Sequence, residues 1–145
     1  MPNIEPKLFF EDVKYNLERL SYKAVKTSNN NKDISMKPVD ESIIRNIDFK
    51  EIVISVSRTI NFEPKSYFSL VVESGLILPL SQNDNKFVGT IDELISYTNE
   101  HIDTIINNSS IMETISLLIS QISSSYGNTP IITPPFFVKA ENNEQ

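Results

Sequence analysis

The chain contains no cysteine, which excludes a disulfide framework and a thiolate zinc site and fits a cytoplasmic setting. It has one histidine and three glycines. No Ser–His–acid set can be assembled around that one histidine, and neither a nucleophile elbow nor a phosphate-cradling glycine loop can be found. His101 is followed by Ile102 and Asp103 and preceded by Glu100, but helical neighbours at i−1 and i+2 point away from one another, so it reads as an exposed helix residue. The acid pairs Glu11/Asp12, Asp40/Glu41 and Asp92/Glu93 read as structural, the last because a helix start favours anions. No catalytic residue, metal site or cofactor is expected, and an enzyme is not the expected class. No apolar run approaches the ~18 residues of a membrane span, and the start lacks a basic region followed by an apolar one. Neither membrane insertion nor secretion by that route is expected. The formal net charge of -6 repels phosphate backbones at long range, which makes nucleic acid an unfavourable partner.

What the chain has in abundance is apolar pattern. At 145 residues it reads as one domain over residues 1–138, with a solvated, disordered tail over 139–145. Met1 to Lys7 is a lead. From Leu8 to Val25 the residues Val13, Tyr15 and Leu17 alternate, and Leu20, Tyr22 and Ala24 continue one residue out of phase. A β-bulge in a single long strand produces that slip. After a polar turn at 27–33, Ile34 to Ile47 reads as a weaker strand that Pro38 assigns to a sheet edge. Phe49 to Phe62 alternates cleanly, with Ile52, Ile54, Val56 and Ile60 on one side and Arg58 interrupting that side. Tyr67 to Leu80 places Phe68, Leu70, Val72, Leu76, Leu78 and Leu80 on one face, with Gly75 marking a bend, a bulge or a close backbone approach.

Two helices follow a polar loop at 81–88. Thr90 and Glu93 form a capping box opening a helix to about Asn107, with Leu94, Ile95, Ile102, Ile105 and Ile106 as its buried stripe. Ser110 and Glu113 form a second box, after which Ile111, Ile115, Leu118, Ile122 and Tyr126 recur at helical spacing. Met112, Leu117 and Ile119 lie off that stripe and are the candidate surface for pairing protomers. Gly127 suits a helix stop, and Pro130, Pro134 and Pro135 force an extended tail. That tail still carries Ile131, Ile132, Phe136 and Phe137, which must be covered by something. Strands followed by helices indicate an α+β fold: a four-stranded antiparallel meander, two helices and an extended Pro-rich apolar tail.

The order of these elements resembles the SecB protein-export chaperone family. The resemblance runs from Leu8 to about Phe137 and rests on Leu20-Ser21-Tyr22-Lys23-Ala24, on the segment Phe68 to Leu78 with its glycine, and on Ile115 to Phe137 with its Gly, Pro and Pro-Pro. It implies an ATP-independent holdase that keeps unfolded, export-competent chains from folding or aggregating, assembled as a dimer of dimers. In that family the groove lies between the sheet and the connection around the helices. The implied client-binding residues are therefore Leu76, Leu78 and Leu80 with Ile131, Ile132, Phe136 and Phe137. The members that deliver clients to the SecA motor use acidic positions on the first and fourth strands, which here match Arg19, Lys23 and Val71. Reversed charge argues against the same motor contact. The alternative is a SecB-like protein dedicated to one partner, such as an antitoxin or a phage component.

Overall fold

The computed structural model describes residues 13–25, 33–64, 67–80, 89–125 and 129–138. The lead before Lys7, the turn after Thr27, the loop at 81–88, Tyr126, the Gly127 stop and the 139–145 tail lie outside them. The described elements are strands β1 (Lys14–Ala24), β2 (Ser35–Ile47), β3 (Glu51–Glu63) and β4 (Phe68–Pro79), then helices α1 (Ile91–Glu100), α2 (Ile102–Asn108) and α3 (Ile111–Ser124). The fold is α+β, with all four strands antiparallel in one sheet.

The strand order is β1-β4-β3-β2. The expected meander holds for β2, β3 and β4, while β1 crosses to the far edge beside β4, which is Greek-key connectivity. Both edges are explained by their residues. Pro38 lies on the β2 edge, where a missing N–H costs no ladder bond. The bulge in β1 falls between Leu17 and Arg19, so the extra residue Glu18 returns Leu20, Tyr22 and Ala24 to the face shared by Tyr15 and Leu17. A second irregularity between Ile44 and Asn46 does the same for β2. Gly75 marks a close approach: a Cβ there would meet the side chains of Glu18 and Asn16. The Glu18 carboxylate continues past it to accept from Ser55 Oγ on β3 (2.9 Å).

One sheet face carries the core. Ile52, Ile54, Val56 and Ile60 of β3 and Phe68, Leu70, Val72, Leu76 and Leu78 of β4 are buried against Leu94, Ile105, Ile106, Ile111, Met112, Ile115 and Ile119 of the helices. At ~1.5–3 kcal/mol per buried large aliphatic side chain, this layer is the main favourable term in folding. α3 lies on β4, and α1 reaches β2. β1 remains outside the helical cover.

The helix region departs from a two-helix reading. Thr90 caps α1 as expected, its Oγ1 accepting from Glu93 N–H (3.2 Å). Thr98 and Asn99 then bond back to the carbonyls of Leu94 and Ile95 (2.8 and 2.9 Å). Such back-bonding weakens helix continuation. The helix breaks at His101 (φ -112°, ψ 17°), and α2 restarts. The Ser110–Glu113 box does not form, because Ser110 is left-handed (φ 67°) and its hydroxyl caps nothing, whereas an N-cap needs extended backbone. Ser109 takes that place, its Oγ accepting from Ile111 N–H (3.4 Å).

Candidate polypeptide-binding site

Two apolar strips are open to solvent, and each has a local cause. The first is on β1. Pairing register places Tyr15, Leu17, Leu20 and Tyr22 opposite Leu76, Ser74, Val72 and Leu70, so all four point to the core side of the sheet, yet each stays more than 40% exposed. They stand beyond the edge of the helical layer on a strand whose outer side pairs with no other strand of the sheet. Tyr22 stacks on Phe68 (5.1 Å), which is edge-on to Phe62 (5.2 Å), so one end of this strip is aromatic. At the other end the Tyr15 phenol is pushed above its ordinary pKa, first by burial and then by the Glu113 carboxylate. α3 therefore turns its Glu113 side toward β1. Leu117, one turn on, shares that side and is 60% exposed.

The second strip is on the tail, and the tail is docked. Ile131 N–H donates to Ser123 Oγ (2.8 Å), Ser116 Oγ donates to the Thr133 carbonyl (2.8 Å), and Phe137 N–H donates to Asn107 Oδ1 (2.6 Å). These bonds lay residues 131–138 antiparallel to α3, with a bend at Pro135 and Phe136. Ile131 and Phe137 pack on the core, while Ile132 (75%) and Phe136 (53%) face outward.

Beneath the tail is a buried ion pair. Arg58 on β3 and Asp40 on β2 are directly opposite in register, and neither side chain is exposed. Arg58 Nε and Nη2 engage the two carboxylate oxygens at 2.6 and 2.7 Å. Nη1 donates to Thr133 Oγ1 (2.9 Å) and to the Pro134 carbonyl, and Nη2 also donates to the Phe136 carbonyl (2.8 Å). Asp40 Oδ2 accepts from Val138 N–H (2.8 Å) as well. Every guanidinium donor has a partner, as a buried cation requires. The sequence signal for this pair was Arg58 on the inward face of a cleanly alternating strand. A charge there demands a partner, and the acid on the neighbouring strand supplies it.

The structure redistributes the residues singled out from sequence. Leu76, Leu78 and Leu80 do not line an open groove; the central position of β4 buries them under the helices. Met112 and Ile119 offer no surface for a second protomer, being 1% and 0% exposed on the core side of α3. Leu117 is the member of that set left outside. Of the tail residues, Ile132 and Phe136 are open, and Ile131 and Phe137 are partly covered. His101 is exposed at the α1–α2 break, its ring tilted against Tyr97 (4.4 Å). No helix among the described residues is long and apolar enough to cross a membrane.

No protein-family model and no characterised sequence matches the chain. Among solved structures, it is similar to a Mycobacterium tuberculosis SecB-like chaperone, Rv1957, in complex with a ChAD peptide from the Rv1956 HigA1 antitoxin. The overlay has a TM-score of 0.57 over 83% of this chain and 86% of that one, at 11% identity. The fold is SecB-like. A protein of unknown function from Streptococcus agalactiae also overlays, with TM-score 0.34 and 12% identity over 85% of this chain and 97% of that one; no argument rests on it. Within the SecB-like frame, register places Arg19 opposite Glu73, Lys23 opposite Ser69 and Val71 opposite Ser21. Arg19, Lys23 and Val71 thus share the sheet face opposite the helices. That face also carries a polar network in which Arg45 Nε donates to Ser55 Oγ (3.0 Å) beside Glu18 and Glu73.

Proposed function

We propose that this protein is a chaperone of the holdase type, which binds unfolded polypeptide through the open apolar strip of its tail without ATP and without a catalytic step. The observation that carries the reading is the pair of strips itself: a protomer with a well-filled core that still displays Tyr15, Leu17, Leu20 and Tyr22 on one side and Ile132 and Phe136 on the other. The similarity to a SecB-like chaperone solved with an antitoxin peptide supports polypeptide as the class of partner. Each apolar side chain covered by a client contributes about 1.5–3 kcal/mol before ordering costs, so a few such contacts give reversible, weakly selective binding.

In this reading the β1 strip and Leu117 pair protomers, because an open strand edge bearing apolar side chains is a template for a second copy. A dimer or dimer of dimers in the cytoplasm then leaves the tail strips for clients. Delivery to an export motor through Arg19, Lys23 and Val71 is disfavoured, since the acidic complement is missing there. A second reading, a chaperone dedicated to one partner, is favoured by the antitoxin peptide of the structural neighbour.

The test is suppression of aggregation of two unrelated, chemically unfolded proteins on dilution. The expected result is suppression of both, independent of ATP, weakened by Ile132→Ser/Phe136→Ser and accompanied by loss of self-association in Leu17→Ser/Leu20→Ser. Suppression of neither protein removes the general holdase and leaves the dedicated partner.

A further inference from the structure

Besides the packing of Ile131 and Phe137 on the core, the tail is held by hydrogen bonds made almost wholly by its main chain. The groups gripped are the N–H of Ile131, the carbonyls of Thr133, Pro134 and Phe136, and the N–H groups of Phe137 and Val138. The exception is the Thr133 hydroxyl, which meets Arg58 and Ser116. From Pro134 onward no tail side chain takes part in these bonds. The carbonyls at 134 and 136 and the N–H at 138 flank and include a bend at Pro135 and Phe136. Main-chain groups of that kind are present in every polypeptide. The partners on the body are fixed in advance: Asp40 holds the Arg58 fork in place with two bonds and leaves three of its N–H groups directed at the tail.

We propose that Arg58 and Asp40 form a main-chain-reading site for extended polypeptide, occupied in this structure by the chain's own residues 133–138, and that an unfolded client segment takes the tail's place on it. The proposal rests on the holdase reading and gives it a location. Recognition through backbone explains how such a site takes chains of unrelated sequence. Tethering gives the tail a high effective concentration, so the resident segment restrains client binding until a longer chain also covers the neighbouring apolar strips. On displacement the incoming carbonyls replace those of Pro134 and Phe136, and the third N–H, released from the Thr133 hydroxyl, needs a further acceptor from the client or from water.

The experiment uses the full chain, a labelled unfolded client, and synthetic peptides of residues 129–138 in native, scrambled and backbone N-methylated forms. Binding is read by fluorescence anisotropy and tail docking by hydrogen exchange at the Val138 amide. Thr133→Val removes one hydrogen bond to a charged donor from the tail and leaves the ion pair intact. It is expected to raise affinity for client and native peptide about tenfold. Arg58→Lys, which keeps the charge but loses the fork, is expected to lower both by at least as much. The scrambled peptide binds like the native one, the N-methylated one does not, and client addition deprotects Val138. The proposal is overturned if Thr133→Val speeds Val138 exchange while client and peptide affinities stay unchanged, or if client binds with Val138 still protected. Failure of the unfolded client to bind any form removes the holdase reading, and the peptide series still decides the site. Should Arg58→Lys not fold, Thr133→Val with the N-methylated peptide is sufficient.

Discussion

Replacing Arg58 by methionine takes five N–H donors out of the core and leaves Asp40 buried with the Val138 amide as its remaining partner among the bonds described. Removing one partner from a fully buried pair costs about 3–5 kcal/mol, because the other charge stays desolvated. Domains have only about 5–15 kcal/mol in total. With an m-value of about 2 kcal/mol/M, the urea midpoint should fall by about 1.5–2.5 M. Asp40→Leu should cost a similar amount, since it strips the guanidinium of both its carboxylate bonds. The double variant Asp40→Leu/Arg58→Met replaces the pair by apolar volume and should recover most of the loss; a double variant costing about 1–2 kcal/mol against singles that sum to about 6–10 is a coupling of about 5–8 kcal/mol. It should not recover the tail, whose Pro134 and Phe136 carbonyls lose their donors in every variant that lacks Arg58. Urea unfolding followed by circular dichroism measures the first quantity, and exchange at Val138 the second. Single variants costing under about 1 kcal/mol, or a double variant equal to their sum, would refute the claim that the pair is desolvated and mutually dependent.

Leu78→Ala should destabilise the protein by about 2–5 kcal/mol, as a fully buried leucine does, and leave client affinity per folded molecule unchanged, which separates a core role from a binding role. Gly75→Val should cost about 1–3 kcal/mol by overpacking, and Glu18→Ala in that background should return part of it, because the Glu18 carboxylate occupies the space the new side chain needs; both are read from urea midpoints. Asp48 accepts from the Glu51 N–H, the Asn46 amide and the Lys50 N–H, and these bonds, that of Glu51 first, hold its pKa below the ordinary carboxylate value. A depressed folded-state pKa gives stability that is present above the unfolded value and lost as pH falls through the folded one. Asp48→Asn should therefore flatten the acid limb of a stability–pH curve below about pH 4.

Alternation made the strands legible, and the phase slip between Leu17 and Leu20 located the β1 bulge before any coordinate. Gly75 announced a bend, a bulge or a close approach, and did not tell that the Glu18 carboxylate of β1 would fill the space beside it. What periodicity could not supply was strand order. Nothing local says that β1 sits beside β4, and it is this placement that buries Leu76 and Leu78 while exposing Leu17 and Leu20. The width of α3 misled for a related reason. Met112 and Ile119 lie off the Ile111–Ile115–Leu118 stripe on a helical wheel, but a helix seated over a sheet and flanked by α2 and the tail buries more than one stripe. The Ser110–Glu113 box failed because the chain enters α3 through a left-handed residue, a backbone state the sequence pattern did not reveal. Arg58 was visible as a charge interrupting an apolar face, but its partner was not: Asp40 read only as half of the Asp40/Glu41 acid pair, and it is the β2–β3 register that sets it opposite Arg58. The link to the tail was not visible either, since it is made by carbonyls that every sequence contains.

In the proposed holdase, the tail strip and the site beneath it bind unfolded polypeptide. The most direct test is titration of a labelled, permanently unfolded polypeptide into the full-length protein without nucleotide, with the folded form of the same polypeptide as control. The account predicts saturable binding of the unfolded chain, none of the folded one, and a loss of at least tenfold in Ile132→Ser/Phe136→Ser, corresponding to about 1.4 kcal/mol or more. Equal binding of folded and unfolded forms, or an affinity that the substitutions leave untouched, would contradict it.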